Sequence, residues 1–111
     1  MKNKQQLGTL YLRAILQKNA PFDTGNLALN SIRAVQDEIG FKVVIGGEIA
    51  PYAKFTNAKP PNKGWIQNSI DEAIPYIRQI FSGALTEKEI RESVDNVRND
   101  FEEQVRNRVS D

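Results

Sequence analysis

Apolar positions recur at helical spacing in three stretches of the chain, and between the first two stretches they alternate with polar ones in two short runs. Leu7, Leu10, Tyr11, Ala14 and Ile15 mark one face of a helix over residues 3–18, with Lys4, Arg13, Lys18 and the glutamines around the rest. Leu12 and Leu16 widen that face, which predicts a helix covered on two sides. Asn19-Ala20-Pro21 ends it, because the residue before a proline is pushed out of the α region. Asp23-Thr24-Gly25-Asn26 is a turn and cap cluster, with Asp23 or Thr24 as the N-cap of a short helix through Leu27 and Leu29 that can extend to Ile32. Next, Ile32, Ala34 and Gln36 alternate with Arg33 and Val35, and Phe41, Val43 and Ile45 alternate with Lys42 and Val44. With a turn at Asp37–Gly40 these two runs predict a β-hairpin, broken afterwards by Gly46-Gly47.

Pro51 to Phe55 reads as one helical turn or a bend, and residues 56–64 as a polar loop stiffened by Pro60-Pro61. Trp65 opens the second long helix, whose face is Ile66, Ile70, Ala73, Ile74, Ile77, Ile80 and Phe81. Pro75 inside it predicts a kink or break near Ala73–Ile74, and Gly83 is the natural stop. Thr86 and Glu89 have the spacing of a capping box and start the third helix, along which Ile90, Val94, Val97, Phe101, Val105 and Val109 recur every three or four residues. Glu87–Arg91 and Glu102–Arg106 are i,i+4 pairs in the favourable order. The apolar stripe of this helix is narrow, so it fits a single seam, filled either by a helix of the same chain or by another subunit. The pattern as a whole predicts an α+β fold: a small antiparallel β-sheet packed against two helices, residues 1–84, followed by a C-terminal amphipathic helical extension, residues 85–111.

Composition narrows the chemistry more than the fold. At 111 residues the core is modest, and an obligate oligomer would be no surprise. The chain has no Cys and no His, which removes disulfides, thiolate metal sites, the commonest general base and the commonest zinc ligand. Asp71-Glu72, with Glu48 elsewhere, makes no acid/base pair, since adjacent carboxylates on a helix point in different directions. The expectation is therefore no enzyme, with no catalytic, cofactor-binding or metal-binding residues and no cofactor. Net charge is +1, but it is unevenly spread: residues 1–85 carry ten Lys/Arg against six Asp/Glu, and residues 86–111 carry five against eight. The two parts differ in sign, as two distinct contact surfaces would. The apolar runs are too short for a bilayer and the N-terminal residues hold no signal-like apolar stretch, so no membrane role is expected.

Two constellations suggest contacts. Lys54, Lys59 and Lys63 interleave with Tyr52, Phe55 and Trp65, and such a segment can touch phosphates and stack bases, or else anchor its aromatics in the core. Tyr52, Lys54, Lys59, Lys63 and Trp65 are thus the candidate partner or DNA contacts. The second candidate surface is the seam Ile90, Val94, Val97, Phe101 and Val105.

The run Ala20-Pro21-Phe22-Asp23-Thr24-Gly25-Asn26-Leu27, continuing to Asn30-Ser31-Ile32, resembles the opening signature of the neck and minor tail-component family of long-tailed phages. In that family an N-terminal helix leads into a Pro-x-Asp-Thr-Gly-x-Leu segment, then a hairpin, a Tyr-Ala segment and a helix. Phe41–Gly46 stands in the place of the hairpin, and Pro51-Tyr52-Ala53-Lys54-Phe55 in that of the Tyr-Ala segment. Lys63-Gly64-Trp65-Ile66 with Ser69-Ile70-Asp71-Glu72-Ala73 resembles the minor capsid or neck version from phages of low-GC Gram-positive bacteria. The resemblance covers roughly residues 5–82, and its order and spacing carry it more than any one motif. Phe55-Thr56-Asn57-Ala58-Lys59 departs from the acidic-aromatic-Gly-Thr stretch of many members, and the charged helix from Thr86 on lies outside the resemblance.

The resemblance implies a structural virion protein of the neck, made in the host bacterial cytoplasm, that joins head to tail as a homo-oligomeric ring. Its partners would be neck and tail proteins on the portal-adaptor side and the tail-tube side, with non-specific contact to passing DNA. The alternative from the residues alone is a small regulatory nucleic-acid-binding protein; the near-zero net charge and the lack of a concentrated basic face count against it.

Overall fold

The computed structural model describes residues 2–20, 32–36, 38, 40–45 and 64–109. In chain order these form helix α1 (Lys2–Asn19), strands β1 (Ile32–Gln36) and β2 (Phe41–Ile45), and helices α2 (Trp65–Ser82) and α3 (Glu87–Val109). The short helix expected after Asp23 or Thr24 and the turn expected at Pro51–Phe55 lie outside the described residues. So do Tyr52, Lys54, Lys59 and Lys63.

Helix α1 is the hub of the molecule, in contact with α2, α3 and both strands. Its wide apolar surface is the reason. On one side Leu16 is buried with Ile32 and Trp65, and Leu12, Ala20, Val43, Ile45 and Ile66 close around them. On the other side Leu7 is buried with Ile80 and Ile90, flanked by Tyr11, Tyr76 and Leu85. Covering α1 on two sides is what Leu12 and Leu16 lead one to expect. Fully burying each large aliphatic side chain in these clusters contributes about 1.5–3 kcal/mol.

The strands form an antiparallel hairpin in which Ile32 faces Ile45, Ala34 faces Val43 and Gln36 faces Phe41. Since side chains alternate along a strand, Ile32, Ala34, Val43 and Ile45 share one face, and that face packs on α1 near its C-terminal end. Gly40, at φ 142, lies in the hairpin connection just ahead of β2.

Helix α2 runs antiparallel to α1. Lys18 and Asn19 at the end of α1 meet Glu72 and Ser69, whereas Leu7 near its start meets Ile80. The buried line on α2 is Trp65, Ser69, Ala73 and Ile80, displaced from the face the isoleucines suggest; Phe81 is 48% exposed. Small side chains explain the displacement. Ser69 and Ala73 let the helices approach, and the Ser69 hydroxyl is satisfied by donating to the Trp65 carbonyl at 2.6 Å. Gly8 on α1 faces the same helix, but a Cβ there would make only ordinary contacts, 3.6 Å from the Phe81 ring and 3.9 Å from Ile77, so the approach does not require glycine at that position.

Of the kink or break expected near Ala73–Ile74, the break does not occur: α2 runs unbroken through Pro75 across 18 residues. Pro75 and Asp71 both lie on the exposed side, where water can serve the Asp71 carbonyl that the proline leaves without a donor. The helix ends at Gly83, whose φ of 81° suits glycine. There the Gly83 N–H donates to the Ile80 carbonyl and the Ala84 N–H to the Gln79 carbonyl, the Schellman arrangement. Four residues later α3 begins with the predicted capping box: the Glu89 N–H donates to Thr86 Oγ1 and the Thr86 N–H to Glu89 Oε1, both at 3.1 Å. The Thr86 N–H, with the Thr86 hydroxyl adding to it, holds the exposed Glu89 carboxyl below its ordinary value. Helix α3 then returns alongside α2, where the Tyr76 and Ser93 hydroxyls meet, and lies parallel to α1.

Candidate functional site

Trp65 is a core residue. It is 6% exposed, packed with Leu16 and Ile32, so its ring is a hydrophobic anchor at the start of α2 and not a platform on which a base can stack. Gly64 precedes it in the left-handed region at φ 78, and its carbonyl accepts the first bond of the helix, from the Asn68 N–H at 2.9 Å. This turn sets Trp65 inward.

The α3 seam is also largely occupied by the chain itself. Ile90 is buried in the cluster with Leu7 and Ile80, Val94 and Phe101 are buried, and Val97 is half-buried. The side chain of Val105 lies outside the described residues. Helix α3 therefore packs on α1 from its first turn, and the apolar seam is a buried joint for at least its first three turns.

Beside that joint lies a cleft of about 150 Å³ between α1 and α3. Its floor is Leu7, Leu10, Ala14 and Val94, and its polar lining is Arg13, Gln17, Arg91, Asp95 and Arg98. Helical spacing accounts for the grouping. Residues 10, 14 and 17 share a flank of α1, and residues 91, 95 and 98 share a flank of α3. Gln17 is 7% exposed, unusual for a glutamine. Arg13 is half-buried, and its Nε lies beneath the surface with no hydrogen-bond acceptor among the described residues. Arg91 donates through Nε and Nη2 to Glu87 Oε1 at 3.1 and 2.9 Å, the predicted i,i+4 pair. Among the described residues the equivalent Glu102–Arg106 pair does not close. The periodicity of α3 marks its apolar stripe and carries no sign of the arginine flank beside it; the sequence signal for the cleft is Arg13, set between Leu12 and Ala14.

A second polar group ties α1 to α2. Lys18 Nζ donates to Glu72 Oε2 at 2.7 Å, and Asn19 Nδ2 donates to Glu72 Oε1 at 3.0 Å and to Ser69 Oγ at 3.1 Å. The bond from Lys18 holds the Glu72 carboxyl below its ordinary value, with that from Asn19 adding to it and partial burial opposing. Next to it the rings of Tyr11 and Tyr76 stack at 4.4 Å, and burial, together with Tyr76 and Glu72, pushes the Tyr11 hydroxyl pKa up. Every charged group here is engaged with a neighbour on the facing helix, so the cluster acts as a clasp.

Comparison with family models, with curated proteins and with solved structures finds no match to this chain. None of the helices among the described residues is long and apolar enough to cross a membrane.

Proposed function

We propose that the protein is a structural subunit of a phage neck, joining the DNA-filled head to the tail as part of a ring, and that it has no catalytic role. The observation that carries this reading is the order of motifs along the chain: Ala20–Ile32, then Phe41–Gly46, then Pro51–Phe55, then Lys63–Ala73. The hairpin between α1 and α2 supports it, since helix, hairpin and helix follow in the sequence that the resemblance implies. The lack of His and Cys supports a non-catalytic role. A ring built head to tail needs two different complementary patches on each subunit, and the excess of Lys/Arg in residues 1–85 against the excess of Asp/Glu in residues 86–111 supplies opposite signs for them. In this reading Tyr52, Lys54, Lys59 and Lys63 face a neighbouring subunit or the DNA channel, and Trp65 fixes the end of their segment to the core.

Size-exclusion chromatography with light scattering tests the proposal, run over a range of concentrations and with portal-ring and tail-tube proteins of a phage encoding the chain. The expected result is a ring-sized oligomer or a complex with one of them. A protein that stays monomeric throughout and binds neither overturns it.

A further inference from the structure

We propose that the cleft between α1 and α3 is a receptor for a carboxylate side chain presented by a partner protein segment. The inference rests on the cleft alone and holds whatever assembly the chain enters. Three guanidinium groups, Arg13, Arg91 and Arg98, line it against one carboxylate, Asp95. Arg91 is partly neutralised by Glu87, but Arg98 has no ion-pair partner among the described residues, and Arg13 holds a buried Nε–H without an acceptor. Leaving a buried donor unpaired is costly, and a carboxylate in the cleft offers acceptors to the guanidinium groups that line it. The planar fork of a guanidinium matches a carboxylate with two parallel bonds.

The floor decides between kinds of anion. Leu7, Leu10, Ala14 and Val94 offer apolar surface below the arginines, which suits an acidic group on an aliphatic stem. A nucleic-acid phosphate brings no such stem. It also arrives on a polyanion, and the exposed carboxylates along α3, Glu92, Asp95, Asp100, Glu102 and Glu103, repel a chain of many charges more strongly than a single acidic side chain. A cavity of about 150 Å³ accepts a benzene-sized guest, so a single acidic side chain fits and a longer segment would have to lie across the rim.

The test observes the arginine Nε–Hε signals of the ¹⁵N-labelled full chain by NMR, assigned with Arg13→Lys and Arg98→Gln. The probes are a capped Leu-Glu-Leu-Glu-Leu peptide, its glutamine counterpart, inorganic phosphate and a short DNA duplex. The Glu peptide is expected to shift the Arg13 and Arg98 signals saturably, and the Gln peptide to leave them in place. Arg98 is exposed, so Arg98→Gln should melt at the wild-type temperature while weakening the peptide at least about tenfold, the scale of one charge-assisted hydrogen bond. Concentration-dependent shifts of the same signals without peptide, reversed by adding it, would support the proposal and identify a second copy as the source of the carboxylate. No saturable shift, an equal response to the Gln peptide, full affinity in Arg98→Gln, or a response to phosphate or DNA that the Glu peptide does not compete with would each overturn it.

Discussion

At Glu72 one carboxylate receives Lys18 Nζ on one oxygen and Asn19 Nδ2 on the other, and so clasps the end of α1 to the second turn of α2. The clasp keeps the folded-state pKa of Glu72 below its ordinary 4.5. Its contribution to stability is therefore complete above about pH 4.5 and is lost as the pH falls through the depressed folded value. The Glu72 side chain is 45% exposed, so solvent screens the pair and the effect is small. Glu72→Gln is expected to lower stability by no more than about 1 kcal/mol at neutral pH and to flatten the acid limb of the stability curve, as measured by urea unfolding from pH 7 to pH 3. The partners of Glu72 are 54 and 53 positions away in sequence, and no spacing rule relates them. The sequence leaves Trp65 open between a contact aromatic and a core anchor, and its packing with Leu16 and Ile32 decides for the core.

The ends of the elements follow local rules, and those rules hold here. Thr86 and Glu89 close the capping box, Gly83 takes the left-handed C-terminal conformation, and both strands begin and end where alternation begins and ends. Pro75 departs from its local rule, because tertiary packing of the buried Ala73 and Ile80 keeps the helix continuous across it, and the proline itself lies on the exposed side. An exposed interior proline remains a defect. Pro75→Ala is expected to raise stability by about 1–3 kcal/mol, visible as a higher urea midpoint with an unchanged slope. A fall in stability would mean that the ring of Pro75 packs usefully or that its restriction of the unfolded chain dominates.

On the scale of the whole molecule α1 serves two cores, one shared with the hairpin and the start of α2, the other with the end of α2 and the start of α3. Helix α3 is thus a structural third of the described body, because Ile90 completes the cluster around Leu7 and Ile80. Ile90→Ala is expected to destabilise the folded chain by about 2–5 kcal/mol in thermal or urea unfolding, even though Ile90 lies in a segment rich in charge. A loss under about 0.5 kcal/mol, well short of the about 2–5 kcal/mol that truncating a buried isoleucine costs, would show that α3 docks only loosely.

Helix positions, the hairpin and the caps were determined by the sequence, since each depends on periodicity or on side chains within four residues of the backbone group they serve. The α+β class followed from the same patterns. What only the tertiary structure decided is which surfaces meet. A narrow apolar stripe on α3 is equally suited to a helix of its own chain or of another, and burial of Ile90, Val94 and Phe101 became visible only once α1 was laid beside it. The cleft of Arg13, Arg91 and Arg98 likewise joins residues some eighty positions apart, each unremarked on its own helix, because a binding surface is a property of two elements in contact and no single segment encodes it.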